Sequence, residues 1–232
     1  YTSTVTEWEH WRPDRPTSPH WYTSERFRAL VALLLNSEQR GGKARSVNEF
    51  IREFHGLSGT AKAKAVAQSA HLTGAMLHDL VDAGDVDMDR LACLLAAMQE
   101  ASRPVNPPAL GVLGQPHCAT QLVRYGADPD SIEYRRAQGT ADGLPYCIEV
   151  AFGVKRDGED LRTLRVGINF SPALEQPFGP LDAALNEARC ARFDPVALLV
   201  HVTCPMIEFA DRGKARANLP ETLAADLQRL VK

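Results

Sequence analysis

The stretch whose reading decides the fold is "VALLVHVTCPMIEFADRGKARANLPE", residues 196–221. Residues 196–204 are near-continuously apolar, the pattern of a central strand covered by helices rather than an edge strand with one wet face. Pro220 then starts a closing amphipathic helix through Leu223, Leu227 and Leu230. Between the two stand Asp211, Arg212, Gly213 and Lys214, on a loop too charged to be packed inside. Two readings of this loop stay open. It is a solvated turn, or it holds a lysine toward a ligand from the end of a rigid strand. Lysine is a compact point charge on a flexible stem, suited to a terminal phosphate. A glycine just before it lets the backbone turn tightly or approach a ligand closely.

Upstream of the strand, "GPLDAALNEARCARF" is helical, with Leu181, Ala184, Leu185 and Ala188 on one side. Before it, "SIEYRRA", "YCIEVAFGV" and "LRTLRVGINF" read as strands, with "KRDGED" a hairpin turn between the latter two. A short helix at "GVLGQPHCATQLV" precedes them. Residues 109–232 thus form a four-stranded sheet layered with helices, in the order β-β-β-α-β-α. "SRPVNPPALGVLG", residues 102–114, is a proline-rich connector and the domain boundary.

Residues 23–108 read differently, as a compact all-helical unit. Phe27, Leu30, Val31, Leu34 and Leu35 make a helical stripe. Ser46 and Glu49 stand at capping-box spacing before a face of Val47, Phe50, Ile51 and Phe54. Ser58 is placed to cap a third helix, and two more follow, over residues 74–83 and 87–101. Asp85, Asp87 and Asp89 invite a metal reading, but Asp87 as an N-cap with Asp89 in the first turn explains them more simply. At the start of the chain, "YTSTVTEWEHW" alternates like a strand, and a lone strand needs partners. The three prolines of "RPDRPTSPHW", residues 12–21, then read as an extended linker. Residues 1–22 are therefore expected to be the last strand and linker of a preceding domain, and the chain a piece of a longer polypeptide.

Composition bounds the function. Of the 232 residues 44% are hydrophobic and 24% charged, and the net charge is −3 with the basic residues scattered, so no general electrostatic clamp on DNA is advertised. The five cysteines lack CxxC pairing and read as buried free thiols of a reducing compartment, with no metal site. No apolar run approaches the roughly 20 residues that span a bilayer, so a cytoplasmic protein without membrane contact is expected. The seven histidines do not cluster. His201, inside the apolar strand, reads as a satisfied core histidine, and His20 as a turn residue. No nucleophile or acid–base pair stands at convincing spacing.

Five segments, in this order, resemble the B subunit of the type IIB topoisomerases (DNA topoisomerase VI). "RPTSPHWYTSERFRAL" looks like the linker after that family's ATPase domain, and "VNEFIREFHGLSGTAKAKAV" like its helix-two-turns-helix domain. "RPVNPPALGVLG" is similar to its proline-rich connector. "GLPYCIEVAFGV" and "VGINFSP" resemble the paired strands that open its transducer domain. The opening quotation resembles its transducer strand, switch loop and following helix.

The resemblance implies an α+β chain: a helix-two-turns-helix-type domain, then an α/β transducer of the ribosomal-protein-S5-domain-2-like type. It also implies a GHKL ATPase domain N-terminal to this chain, which binds ATP and Mg and self-dimerises on binding. The partner is an A-type subunit that cuts duplex DNA. Gly213 and Lys214 fall on the switch loop, with Lys214 contacting the ATP γ-phosphate. The family's DNA-sensing Trp-Lys-x-Tyr patch falls on "RCARF", where Arg189 and Arg192 are the candidate DNA contacts and Cys190 and Phe193 replace the aromatic pair. The phosphate-binding loops and general base of the GHKL domain have no counterpart here, so this polypeptide by itself is expected to be inactive as an ATPase. The expected localisation is cytoplasmic, at the nucleoid. The alternative is a GHKL coupling protein gating a nuclease, defence or repair partner. A third reading, a stand-alone helical nucleic-acid-binding module, sits poorly with the near-neutral charge.

Overall fold

The computed structural model describes residues 9–82, 85–156, 161–211 and 215–232. The chain divides into two compact units, Asp14–Val105 and Asn106–Lys232 together with Tyr1–Pro13.

In the first unit, helix α1 (Ser24–Gln39) starts where Thr23 accepts a hydrogen bond from Arg26 N, and buries Phe27, Val31 and Leu35. Helix α2 (Val47–Arg52) carries the expected capping box: Ser46 Oγ accepts from Glu49 N, and Glu49 accepts from Ser46 N. Each bond satisfies a backbone donor that the first helical turn would otherwise orphan. Helix α3 (Thr60–Ser69) begins at Gly59 without a side-chain cap. Ser58 therefore does not cap it; its carbonyl accepts from Arg52 Nε instead. Helix α4 (Met88–Glu100) is capped by Asp87, which accepts from Asp89 N and Arg90 N, while Asp85 pairs with Arg28 at 2.8 Å. The core is aromatic at its centre, with Phe50 edge-on to Phe54 at 5.1 Å and Phe27 5.7 Å from Phe50.

Two further expectations fail in this unit. Residues 74–83 are not a helix: a 3-10 turn, Leu77–Leu80, leads into strand β1 (Val81–Asp82), which pairs antiparallel with β2 (Asp85–Val86). The Asp79 carboxylate accepts from Met76 N and satisfies a single turn, and β-branched Val81 favours the extended chain that follows. The proline-rich segment is not extended throughout. Pro19–Trp21 forms a 3-10 turn capped by Ser18, with Ser18, Pro19 and Trp21 buried. His20 lies in that turn, its Nε2 3.2 Å from Ser102 Oγ.

The second unit is a mixed sheet with helices on both faces. Helix α5 (Gln115–Arg124) precedes strands β3 (Glu133–Ala141), β4 (Leu144–Val154), β5 (Thr163–Ile168) and β6 (Ser171–Pro172). Helix α6 (Gly179–Glu187), strand β7 (Val196–Thr203), a hairpin of β8 (Glu208–Phe209) with β9 (Ala217–Asn218), and helix α7 (Glu221–Val231) complete it. The sheet order is β3-β4-β7-β5-β6. Among the described residues it has five strands rather than the expected four. The chain turns back at Asn169 and Phe170, both at positive φ, and adds the two-residue edge β6.

β4 and β5 also do not pair as the expected hairpin would require, and residues 157–160 of its turn lie outside the described residues. β7 lies between them, antiparallel to β4 and parallel to β5. Hydrophobicity explains the insertion. β7 is the most continuously apolar strand, and only the sheet centre covers both of its faces. Helix α6 makes the crossover that a parallel β5–β7 pair requires.

On one face, α5 sets Cys118 and Leu122 against Ala151, Ala197 and Leu199. On the other, Tyr146 of β4 donates from its hydroxyl to Asp226 of α7 at 2.7 Å. Burial, with Asp226 beside it, pushes the Tyr146 phenol up to about 12, so it stays a donor. Its ring crosses Gly139 of β3, where an added Cβ would stand 2.4 Å from the hydroxyl oxygen. Gly139→Val is therefore expected to displace Tyr146 and cost about 1–3 kcal/mol. Most of that loss should vanish in a Tyr146→Ala background, a non-additivity that urea denaturation of the two single variants and the double variant would measure.

Candidate functional site

Glu149 stands in the middle of β4 and is fully buried, beside His201 of β7, its register partner, which is 1% exposed. Such a carboxylate survives only if its lone pairs are satisfied, and here they are. One oxygen, Oε2, accepts from Leu113 N at 2.8 Å and lies 2.9 Å from His201 Nδ1. The other, Oε1, accepts from Gly114 N at 2.7 Å and from the Tyr134 hydroxyl at 2.8 Å. On the far side of the imidazole, Phe170 N donates to His201 Nε2 at 3.1 Å. A donor facing Nε2 requires a lone pair there, so the proton sits on Nδ1 and is given to Glu149.

Burial alone would raise the Glu149 pKa. The hydrogen bonds from His201, Leu113 N and Gly114 N outweigh it and hold the carboxyl below its ordinary value. Burial, helped by the same carboxylate, drives the neighbouring acids upward, the Cys118 thiol to about 12 and the Cys147 thiol to about 11. Neither thiol is a nucleophile in that state.

This network positions the end of β7. Asn169 clasps Cys204 from both sides, donating from Nδ2 to its carbonyl at 3.0 Å and accepting from its N–H at 2.9 Å. From Cys204 the chain runs into the β8–β9 hairpin, whose base is tied down again by Ala217 N donating to Pro177 O. Toward the tip, the Asp211 carboxylate accepts from Ala215 N and Arg216 N, both at 3.2 Å. Arg212, Gly213 and Lys214 lie outside the described residues. What is on view is the base of the charged loop: a hairpin tied to the end of β7 on one side and to the segment before α6 on the other.

Arg189 and Arg192 are exposed, beyond the end of α6. The helix stops short of the expected span because Arg189, at φ 53°, begins a reversal in which Cys190 N donates to Leu185 O and Arg189 N to Asn186 O. These paired bonds are a Schellman stop, which satisfies the last carbonyls and cannot be extended. Phe193 is 70% exposed beside them. The cysteines are not uniformly buried: Cys93 is exposed on α4, and Cys190, in the reversal past the end of α6, is half-buried. His201 is the satisfied core histidine its sequence position indicated, and its partner Glu149 went unrecognised. The available signal was a lone charge inside the apolar run of "YCIEVAFGV".

Comparison with protein-family models and with curated proteins finds no match. Among solved structures, the B subunit of the DNA gyrase from Myxococcus xanthus is similar over 42% of this chain and 31% of its own, at 19% identity and a TM-score of 0.30. The chain thus spans about a third of that structure, and a likeness of this extent carries no argument about activity. No helix among the described residues is long and apolar enough to cross a membrane.

Glu149→Gln puts an NH2 group against two donors whichever way the amide is turned. It is expected to cost about 3–5 kcal/mol at neutral pH in urea denaturation. The native carboxyl titrates below its unfolded value, so its contribution is complete above the ordinary carboxylate range and is lost as pH falls through the folded value. The wild-type chain should weaken below about pH 4.5, and the variant should show a shallower acid limb.

Proposed function

We propose that this chain is the coupling portion of the ATP-binding B subunit of a type IIB (topoisomerase VI-like) DNA topoisomerase. In this reading residues 23–108 are the helix-two-turns-helix domain and residues 109–232 the transducer. ATP and Mg are held by a GHKL domain of the full-length protein, and Lys214 touches the γ-phosphate from the switch loop, with Gly213 permitting the close approach. Hydrolysis removes the charge that Lys214 reads, so nucleotide state biases the loop. The motion is then passed to an A-type subunit that cuts duplex DNA.

The observation that carries this reading is the anchoring of the charged loop. Asn169 fixes Cys204 at one end, Pro177 O holds Ala217 at the other, and Asp211 closes the turn between them. A solvated filler loop needs no such clamps. A loop that must present one cation at a defined place, and transmit a pull on it to a buried strand, does. The order of the five resembling sequence segments supports the same reading.

Lys214→Ala in the full-length protein is expected to lower ATP turnover at least tenfold without changing its circular dichroism. Unchanged turnover together with normal ATP-driven dimerisation would sink the switch role. In the same reading Arg189 and Arg192 are duplex contacts. Replacing both with Ala should flatten the salt dependence of DNA binding by about two in log K against log salt, measured by fluorescence anisotropy across a salt series.

A further inference from the structure

The α5 face of the sheet is only partly covered. The helix sits over β4 and β7, and the next strand, β5, lies beyond its footprint. A cavity of about 230 Å³ opens there. Its roof is His117 and Gln121 of α5 with Tyr125 at the helix C-cap, spaced four residues apart and so along one side. Its floor exists because residue 167 is glycine. Gly167 stands opposite His201 in the parallel register, and a Cβ there would come within 3.2 Å of the imidazole Cδ2. Phe170 closes one end, its ring 4.7 Å from that of His201. The surface is mainly apolar, and the polar side chains on it include Arg165, His117, Gln121, Ser171 and His201.

The side chains of Arg165, His117 and Gln121 have no hydrogen-bond or ion-pair partner among the described residues. The Arg165 guanidinium lies over the Tyr125 ring at 4.8 Å, which holds its plane while leaving its N–H donors unused. Among the described residues no carboxylate lines the cavity; Glu149 stands behind His201 with its lone pairs taken. A concave, largely apolar site with a few convergent donors and an unmatched cation is built for an anion carrying an apolar body. The aromatic walls fit a flat ring, and the planar fork of arginine fits a carboxylate in bidentate fashion. The volume lies below the roughly 300 Å³ at which drug-sized sites begin, which restricts the body to about one ring.

We infer that this cavity binds a small single-ring aromatic carboxylate, with the ring between Phe170 and Tyr125 and the carboxylate on Arg165. The inference rests on the cavity alone and is independent of how the hairpin functions. Nothing in it requires ATP.

The test is a titration of the full chain followed by 15N–1H correlation spectra with three probes. Phenylacetate has the ring and the charge, benzyl alcohol the ring without the charge, and acetate the charge without the ring. Phenylacetate should give saturable shifts at the amides of Gly167, Phe170 and Ala173, and bind at least tenfold more tightly than either other probe. Arg165→Met, an exposed substitution that leaves the core untouched, should weaken phenylacetate at least tenfold and leave benzyl alcohol unchanged. Three results overturn the inference: no saturable shift at these amides with phenylacetate, equal binding of the neutral probe, or an unaltered affinity in Arg165→Met.

Discussion

A charge buried in the middle of a sheet is the constraint on which the second unit depends. Glu149 has no contact with water, and its two oxygens are satisfied by four donors from three other parts of the chain. Leu113 and Gly114 lead into α5, Tyr134 belongs to β3, and His201 to β7. The cost of leaving any of these donors or acceptors unpaired is high in the interior. The carboxylate therefore dictates where the helix starts, how the three strands register and which tautomer the histidine adopts. Apolar residues could fill the same volume, but they would not choose among alternative registers with the same force.

The consequences run outward from the imidazole. Phe170 N is held by His201, so the turn at Asn169 and Phe170 is fixed, and Asn169 in turn clasps Cys204 at the end of β7. The charged hairpin thus hangs from a backbone that is hydrogen-bonded through two side chains to a buried ion. A displacement of the hairpin has to be absorbed by the loop or passed to the strand, since the clasp itself has little give. His201 and Gly167, side by side on β7 and β5, also line the cavity under α5, with Glu149 behind the imidazole. One polar feature organises two surfaces.

Much of this was legible in the sequence, because the relevant forces are local or periodic. The amphipathic stripes of α1, α4 and α7 follow from helical spacing of apolar residues, and the caps at Ser46 and Asp87 from side chains that reach donors two or three residues away. The continuous apolarity of residues 196–203 identified a central strand, because no edge position could bury it. His201, a lone imidazole in that run, was legible as a core residue for the same reason.

What the sequence could not determine depends on partners far away in the chain. Whether β4 pairs with β5 or accepts β7 between them is a competition over burial of both faces, settled only when all strands are present together. The edge strand at Ser171–Pro172, the Schellman stop after α6 and the 3-10 turn at Leu77–Leu80 each hang on one or two hydrogen bonds too weak to be announced by composition. Glu149 is the sharpest instance. In sequence it is one charge in an apolar strand, contrary to local preference. Only the tertiary structure supplies the four donors, drawn from positions as far apart as Leu113 and His201, that make the burial of that charge favourable.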